Sequence, residues 1–171
     1  MVIDLEVAVN AALWIWFGGW ALALAVVDVR EHRLPNRMVA AALLGCVLLT
    51  GVLAVATADP RVLLRALAAS AVAVGAFAAA HILGGMGMGD VKYAAVTGWA
   101  LGTIGWSAVW WGHLLGFVAA GGVVVVGVVV SRMNRRSALP FGPFMGVGSL
   151  LVGVSAIAPA VAPAVALAIG A

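Results

Sequence analysis

The sequence predicts an all-α, polytopic membrane protein, a bundle of six transmembrane helices, and its composition is the first reason. Of the 171 residues, 65% are hydrophobic and 9% are charged, whereas soluble domains average about 45–50% and about 25%. The mean hydropathy of +1.21 arises from long runs without a charged residue. Each run meets the requirement of ~20 apolar residues for crossing a bilayer core of ~30 Å. The runs are Val7–Val27, Met38–Ala58, Ala66–Gly89, Tyr93–Ser131 and Ser137–Ala171.

The number of spans follows from the lengths of these runs. Tyr93–Ser131 would form a helix of about 58 Å, about twice the bilayer core, so we expect it to fold back at Trp110–His113, where aromatic residues and a glycine suit an interface. In the last run, Pro159 and Pro163 predict that regular helix is confined to Phe144–Ala158 and frays or kinks beyond. The chain is thus predicted to be a single transmembrane domain, residues 1–171, with spans at roughly 7–27, 38–57, 64–84, 91–111, 114–131 and 144–166.

The distribution of cationic residues predicts the orientation of these spans. With six spans, seven Lys and Arg residues share one side and two lie opposite, Arg61 and Arg65. Because basic loops remain in the cytoplasm, both termini are expected outside, in a plasma or inner membrane. The seven residues on the predicted cytoplasmic side are Arg30, Arg33, Arg37, Lys92, Arg132, Arg135 and Arg136.

Small residues predict where helices approach one another closely. Gly98 with Gly102 and the pair Gly121 and Gly122 remove side chains from one stretch of helix surface. Interfaces between transmembrane helices are enriched in such residues, since glycine lets two backbones approach. We therefore expect close helix packing at both places.

Several function classes are excluded by composition. The isoelectric point is near 10.0, but nine Lys and Arg residues form no basic face large enough for nucleic acid. The single cysteine, Cys46, cannot form an intrachain disulfide or a cysteine-based zinc site. No metal and no cofactor is expected, and membrane lipid is an expected partner.

Two aspartates stand out because the chain has only six acidic residues. Asp28 closes the first span and Asp90 opens the fourth, so the topology places both at the cytoplasmic face. A carboxylate at the membrane boundary indicates a functional site. Two carboxylates that share a site retain one proton; the ionised one can activate water while the protonated one polarises a carbonyl. The alternative is that both are solvated helix caps.

The segments around the aspartates have unusual composition. Downstream of Asp28, Pro35 should stop the helix, and Asn36 can cap the second span. Gly84–Gly89 is an odd approach to a helix, because glycine disfavours regular structure. Leu139–Phe144 reads either as a rigid turn at membrane depth or as a helix start with proline in its first turn.

Taken in order, these segments resemble the type IV prepilin peptidases. The likeness covers about Val26 to Met145 and rests on Asp28 with Pro35-Asn36, on Gly87-Met88-Gly89-Asp90 with Lys92, and on Pro140-Phe141-Gly142-Pro143. The resemblance implies a membrane-embedded aspartic endopeptidase with Asp28 and Asp90 as the catalytic pair. It implies that eight residues shape the site or bind substrate: Pro35, Asn36, Gly87, Gly89, Lys92, Pro140, Gly142 and Pro143.

The resemblance also implies a substrate. Members of this family remove the short basic leader peptide of prepilin-like precursors at the cytoplasmic face, just ahead of a hydrophobic segment. Type IV or Flp pilins, pseudopilins and flagellin-like proteins all fit that description. Larger members carry a preceding region with paired Cys-x-x-Cys motifs and methylate the new N-terminus. This chain looks like a short form, so N-methyltransferase activity is not expected.

Two other function classes fit parts of the pattern. A small proton-coupled transporter or channel would also contain acids in a helical bundle. It would need further polar residues at mid-membrane, for which only Asn10, Ser70 and Thr97 are candidates. A non-enzymatic assembly factor of a pilus or secretion complex could share the fold, although the presence of both aspartates argues against it.

Overall fold

The computed structural model describes residues 2–84, 86–130 and 140–168. Six α-helices form nearly all of these ranges. No strand occurs within these ranges, and the all-α prediction is confirmed. Every helix except α4 is long and apolar enough to cross a membrane. The predicted cytoplasmic residues Arg132, Arg135 and Arg136 lie outside the described ranges. The helices are α1 (Val2–Glu31), α2 (Asn36–Ala56), α3 (Arg61–Ile82), α4 (Met88–Ile104), α5 (Trp106–Val129) and α6 (Gly142–Ala168).

The break between α4 and α5 corrects the sequence prediction. Trp110–His113 lies inside α5, and the chain leaves the helical conformation at Gly105 instead, where the backbone is extended. Gly105 serves both helices: its N–H donates to Leu101 at 3.1 Å and its carbonyl accepts from Val109 at 3.2 Å. Gly112 is a packing residue, since a Cβ there would lie 2.5 Å from Leu101 Cδ1. Hydropathy and aromatic content therefore predicted a break within this run, but at Trp110–His113 instead of Gly105.

The shortest helix, α4, occupies the centre of the bundle. It contacts every other helix, and the remaining five follow one another around it in the order α3, α2, α1, α6, α5. Eleven of its 17 residues are buried, whereas about a third or less of each longer helix is buried. A helix surrounded by protein does not need the apolar outer surface that lipid requires, so polar residues such as Thr97 and Thr103 are accommodated there.

Glycine permits the closest helix contact in the bundle, between α3 and α4. A Cβ on Gly98 would lie 2.8 Å from the Cβ of Ala73, and one on Gly102 would lie 2.7 Å from the Cβ of Ala69. Close packing at this pair is confirmed. The prediction of close packing at Gly121 and Gly122 is wrong, because no atom lies within 4 Å of a Cβ at either position. Both glycines lie on an exposed part of α5.

Two side-chain hydrogen bonds anchor the α4 end remote from the aspartates. Arg65 of α3 donates through Nε to the Gly102 carbonyl at 2.8 Å and through Nη2 to the Thr103 carbonyl at 2.5 Å. The last carbonyls of a helix lack intrahelical partners and carry partial negative charge. In apolar surroundings an unpaired carbonyl is costly, so Arg65 stabilises this end of α4.

The last helix agrees with the predicted span of roughly 144–166 and continues through both prolines. α6 runs from Gly142 to Ala168 and includes both Pro159 and Pro163. The expectation of fraying beyond Ala158 is wrong, and the alternative of a kink there stays a prediction. Prolines are tolerated in membrane helices because neighbouring groups can satisfy the freed carbonyls. Its first turn contains Pro143, which agrees with the helix-start interpretation of this segment.

Candidate active site

A solvent-accessible cavity lies where α1 ends and where α4 and α6 begin. Its volume is about 440 Å³, and both predicted aspartates, Asp28 and Asp90, line it. Helix ends from three separate parts of the chain therefore bring the two carboxyl groups to one space. The full lining comprises Asp28, His32, Arg33, Leu34, Gly87, Met88, Gly89, Asp90, Lys92, Pro140 and Phe141.

Asp28 is held in the last turn of α1 by the start of α6. The residue is 6% exposed, and its Oδ2 accepts a hydrogen bond from the Gly142 N–H at 3.1 Å. Gly142 begins α6, where N–H groups lack intrahelical partners and the helix dipole favours negative charge. A Cβ on Gly142 would lie 2.7 Å from Oδ2. The contact therefore requires glycine at this position.

Asp90 lies in the first turn of α4, three residues after the N-cap position. Gly87 occupies the N-cap position with an extended backbone, and the Asp90 N–H donates to its carbonyl at 3.1 Å. A Cβ on Gly87 would approach Asp90 Oδ2 to 3.4 Å, an ordinary contact distance. Asp90 is thus not the N-cap residue of α4, and its carboxyl group lies beside Gly87 and lines the cavity.

The glycine-rich segment before Asp90 forms the turn between α3 and α4. Gly84 has φ of +80°, a left-handed conformation that glycine adopts without a steric penalty. His81, near the end of α3, is hydrogen-bonded through Nδ1 to the Met86 carbonyl at 2.7 Å. This histidine fixes the turn that leads into Asp90. The sequence alone marks it only as a polar residue near a span end.

The loop between α1 and α2 packs against the start of α4. Leu34 is buried, and a Cβ on Gly89 would lie 3.4 Å from its Cβ. Lys92 Nζ donates to Asn36 Oδ1 at 2.7 Å. The prediction that Asn36 caps α2 is wrong: Pro35 occupies the N-cap position, and no side chain caps this helix end. Asn36 instead links the starts of α2 and α4.

The structure places six of the ten predicted site residues on the cavity wall: Asp28, Asp90, Gly87, Gly89, Lys92 and Pro140. Of the other four, Gly142 contacts Asp28 and Asn36 contacts Lys92. Pro35 and Pro143 occupy positions at the starts of α2 and α6. Neither proline lines the cavity.

Five lining residues fall outside the predicted set. Each of them lies within a few residues of a predicted one. The motifs therefore identified the correct segments but did not identify every residue that lines the cavity. Leu34 and Phe141 supply apolar wall, whereas Arg33 is cationic. The five are His32, Arg33, Leu34, Met88 and Phe141.

Two carboxyl groups in this cavity offer acid–base chemistry. Within the described ranges, no three His, Cys, Asp or Glu side chains are grouped as a metal site would require. Two carboxyl groups in one solvent-accessible cavity can share a proton and so act together as base and acid.

Comparison with known proteins identifies the family. The model of the type IV leader peptidase family matches residues 15–131, a range that contains both aspartates. No curated protein sequence and no solved structure matches the chain. Five helices of the chain are long and apolar enough to cross a membrane, which agrees with a membrane peptidase. Since the family model covers more than half of the 171 residues, this chain belongs to the type IV leader peptidase family.

Proposed function

We propose that the protein is an aspartic endopeptidase in which Asp28 and Asp90 form the catalytic pair. The single observation that carries this proposal is that both aspartates, 62 residues apart in sequence, line one cavity. The family assignment supplies the reaction class, removal of a leader peptide. The eight flanking residues predicted from the motifs serve to position this pair or to contact substrate.

The reaction needs one proton shared by the two carboxyl groups. The ionised carboxylate takes a proton from water as the water oxygen bonds to the scissile carbonyl carbon, and the protonated carboxyl donates to the carbonyl oxygen. The tetrahedral intermediate then collapses: the carboxyl that took the water proton donates it to the leaving nitrogen as the C–N bond breaks, and a hydroxyl of the intermediate returns a proton to the other carboxylate. The pair ends singly protonated again, so no other reactant is consumed.

The membrane arrangement follows from treating the six helices as six crossings of a single domain. α4 has 17 residues, about 25 Å of helix, which suffices when its ends are surrounded by longer neighbours. The basic loops then lie in the cytoplasm, and so does the cavity. A cysteine introduced at Arg33 in a Cys46→Ser background should react with an impermeant maleimide only from the cytoplasmic side; one at Asp59 should react from the other. Labelling of both from one side would contradict six crossings.

For the substrate we propose a prepilin-like precursor: a type IV or Flp pilin, a pseudopilin or a flagellin-like protein. The cavity opens at the membrane boundary, where a polar leader and the hydrophobic segment behind it would meet. We further propose that these 171 residues do not catalyse N-methylation, because they contain one cysteine and so no paired Cys-x-x-Cys motifs.

Cleavage of a co-expressed prepilin-like protein tests the catalytic pair. Asp28→Asn and Asp90→Asn should each abolish processing, because an amide can neither accept the water proton nor supply a proton in return. Glu31→Gln is the matched control, since Glu31 is an exposed acid near Asp28 that does not line the cavity. Full processing by either Asn variant would exclude that residue from the catalytic pair.

A further inference from the structure

A second polar feature lies in the protein interior, further along α1 and α6 from the candidate active site. α1 and α6 run antiparallel and contact each other along their lengths, with Asp28 opposite Gly142 at the near end and Trp14 opposite Gly153 further along. Tyr93 of the central helix α4 enters the same space opposite Gly146. We refer to this junction of α1, α4 and α6 as the seam.

Small residues on α6 make room for larger side chains in the seam. A Cβ on Gly146 would lie 3.1 Å from the Tyr93 hydroxyl and 3.4 Å from the Cβ of Ala21. A Cβ on Gly153 would overlap the Trp14 ring. Gly146, Ser149 and Gly153 recur at intervals of three and four residues and so share one helix face. Ser149 therefore lies on the face that meets Tyr93 and α1.

The seam contains polar groups without partners. Among the described residues, three buried side-chain atoms lack a hydrogen-bond partner: Tyr93 Oη, Ser149 Oγ and Trp14 Nε1. The two hydroxyl groups belong to the seam, whereas Trp14 meets Gly153 through the carbon edge of its ring, opposite Nε1. Tyr93 is 1% exposed, Ser149 0% and Trp14 3%. A buried unsatisfied polar group costs about 1–3 kcal/mol, and such groups are rare in native proteins, so two such hydroxyl groups at one helix junction require an explanation.

We propose that the seam is a binding site for internal water, with a water molecule bridging the hydroxyl groups of Tyr93 and Ser149. Each hydroxyl offers one donor and two acceptor positions, and a buried water makes two to four hydrogen bonds to such groups. Gly146, which meets the Tyr93 hydroxyl, precedes Ser149 by three residues, less than one turn of α6. The site is distinct from the aspartate cavity, whose lining includes none of these residues.

A double-mutant cycle tests the shared partner. In the full chain in detergent, Tyr93→Phe and Ser149→Ala should each lower the unfolding temperature by about 2–4 °C, the shift expected for ~1 kcal/mol in a chain of this size. Because both lose the same bridge, the double variant should lose no more than the larger single variant. Ser155→Ala is the control, since that serine is exposed and donates to the Val152 carbonyl.

The results separate three cases. Single variants as stable as the wild type, or more stable, would show that the hydroxyls are genuinely unpartnered, and would overturn the proposal. Fully additive losses would overturn the bridge.

Coupling alone would also arise from a direct hydrogen bond between the two hydroxyls, so radiolytic labelling supplies the second measurement. Internal water should produce oxidation of Tyr93, whereas the equally buried Phe17 should stay unmodified. Coupling without labelling of Tyr93 would overturn the water site in favour of a direct contact.

Discussion

Gly142→Ala tests the geometry around Asp28 with the smallest possible change. The added Cβ would lie 2.7 Å from Asp28 Oδ2 and 3.3 Å from Cγ, so the carboxyl group must move by about 0.7 Å to reach the 3.4 Å of ordinary contact. The 3.1 Å hydrogen bond from the Gly142 N–H would be stretched as well. Displacement approaching 1 Å at a reacting group can reduce a rate by about 10²-fold.

The size of the effect follows from both losses. A hydrogen bond to a charged group contributes about 1.5–3 kcal/mol, which corresponds to about ten- to a hundredfold in rate. We therefore expect kcat of Gly142→Ala to fall by about ten- to a hundredfold with little change in KM, because the altered group acts on the reacting bond. Its unfolding temperature should stay near that of the wild type, since alanine favours helix over glycine by up to about 1 kcal/mol.

The assay is initial-rate cleavage of a purified prepilin-like substrate by the purified protein in detergent. Gly121→Ala is the matched control, because the same methyl group there meets no atom within 4 Å and should leave kcat unchanged. If Gly142→Ala cleaved within twofold of the wild-type rate, Asp28 would not need its observed position. The proposed role of Asp28 would then be refuted.

Three further predictions concern pH and packing. The pH profile of kcat should be bell-shaped, because the doubly protonated pair has no base and the doubly ionised pair has no acid; a flat profile across acid and neutral pH would contradict the mechanism. Gly98→Ala should lower the unfolding temperature, because its methyl group would meet Ala73 at 2.8 Å and overpacking costs about 1–3 kcal/mol; an unchanged temperature would show that α3 and α4 can separate freely. Arg65→Gln should destabilise the fold by about 1–3 kcal/mol, whereas exposed Arg61→Gln should not, as thermal unfolding of both variants would reveal.

Local patterns located most helices but could not specify their contacts. The runs without charge correspond to α1, α2, α3 and α6, since crossing a bilayer imposes a length that hydropathy records directly. The α4–α5 break was placed at Trp110–His113 and occurs at Gly105. Both places carry glycine and aromatic residues near the end of a span, and tertiary packing of Gly112 on Leu101 decides between them.

The same limit applies to small residues and caps. Gly98 and Gly121 look alike in sequence, yet one lies against α3 and the other has no neighbour within 4 Å. Asn36 has a typical capping side chain, but it is engaged by Lys92, 56 residues away in sequence. Neither outcome could be predicted from local pattern, because each depends on which helix packs alongside.

By itself, the sequence determined the class of the protein and the segments of its site. A chain this apolar must satisfy its backbone within helices, and scarce acids at span ends mark functional positions. Only the tertiary structure decided that Asp28 and Asp90 line one cavity, that Gly142 holds Asp28, and that two unpartnered hydroxyl groups share the seam. These features arise from contacts between helices that are distant along the chain, and residue order does not encode such contacts locally.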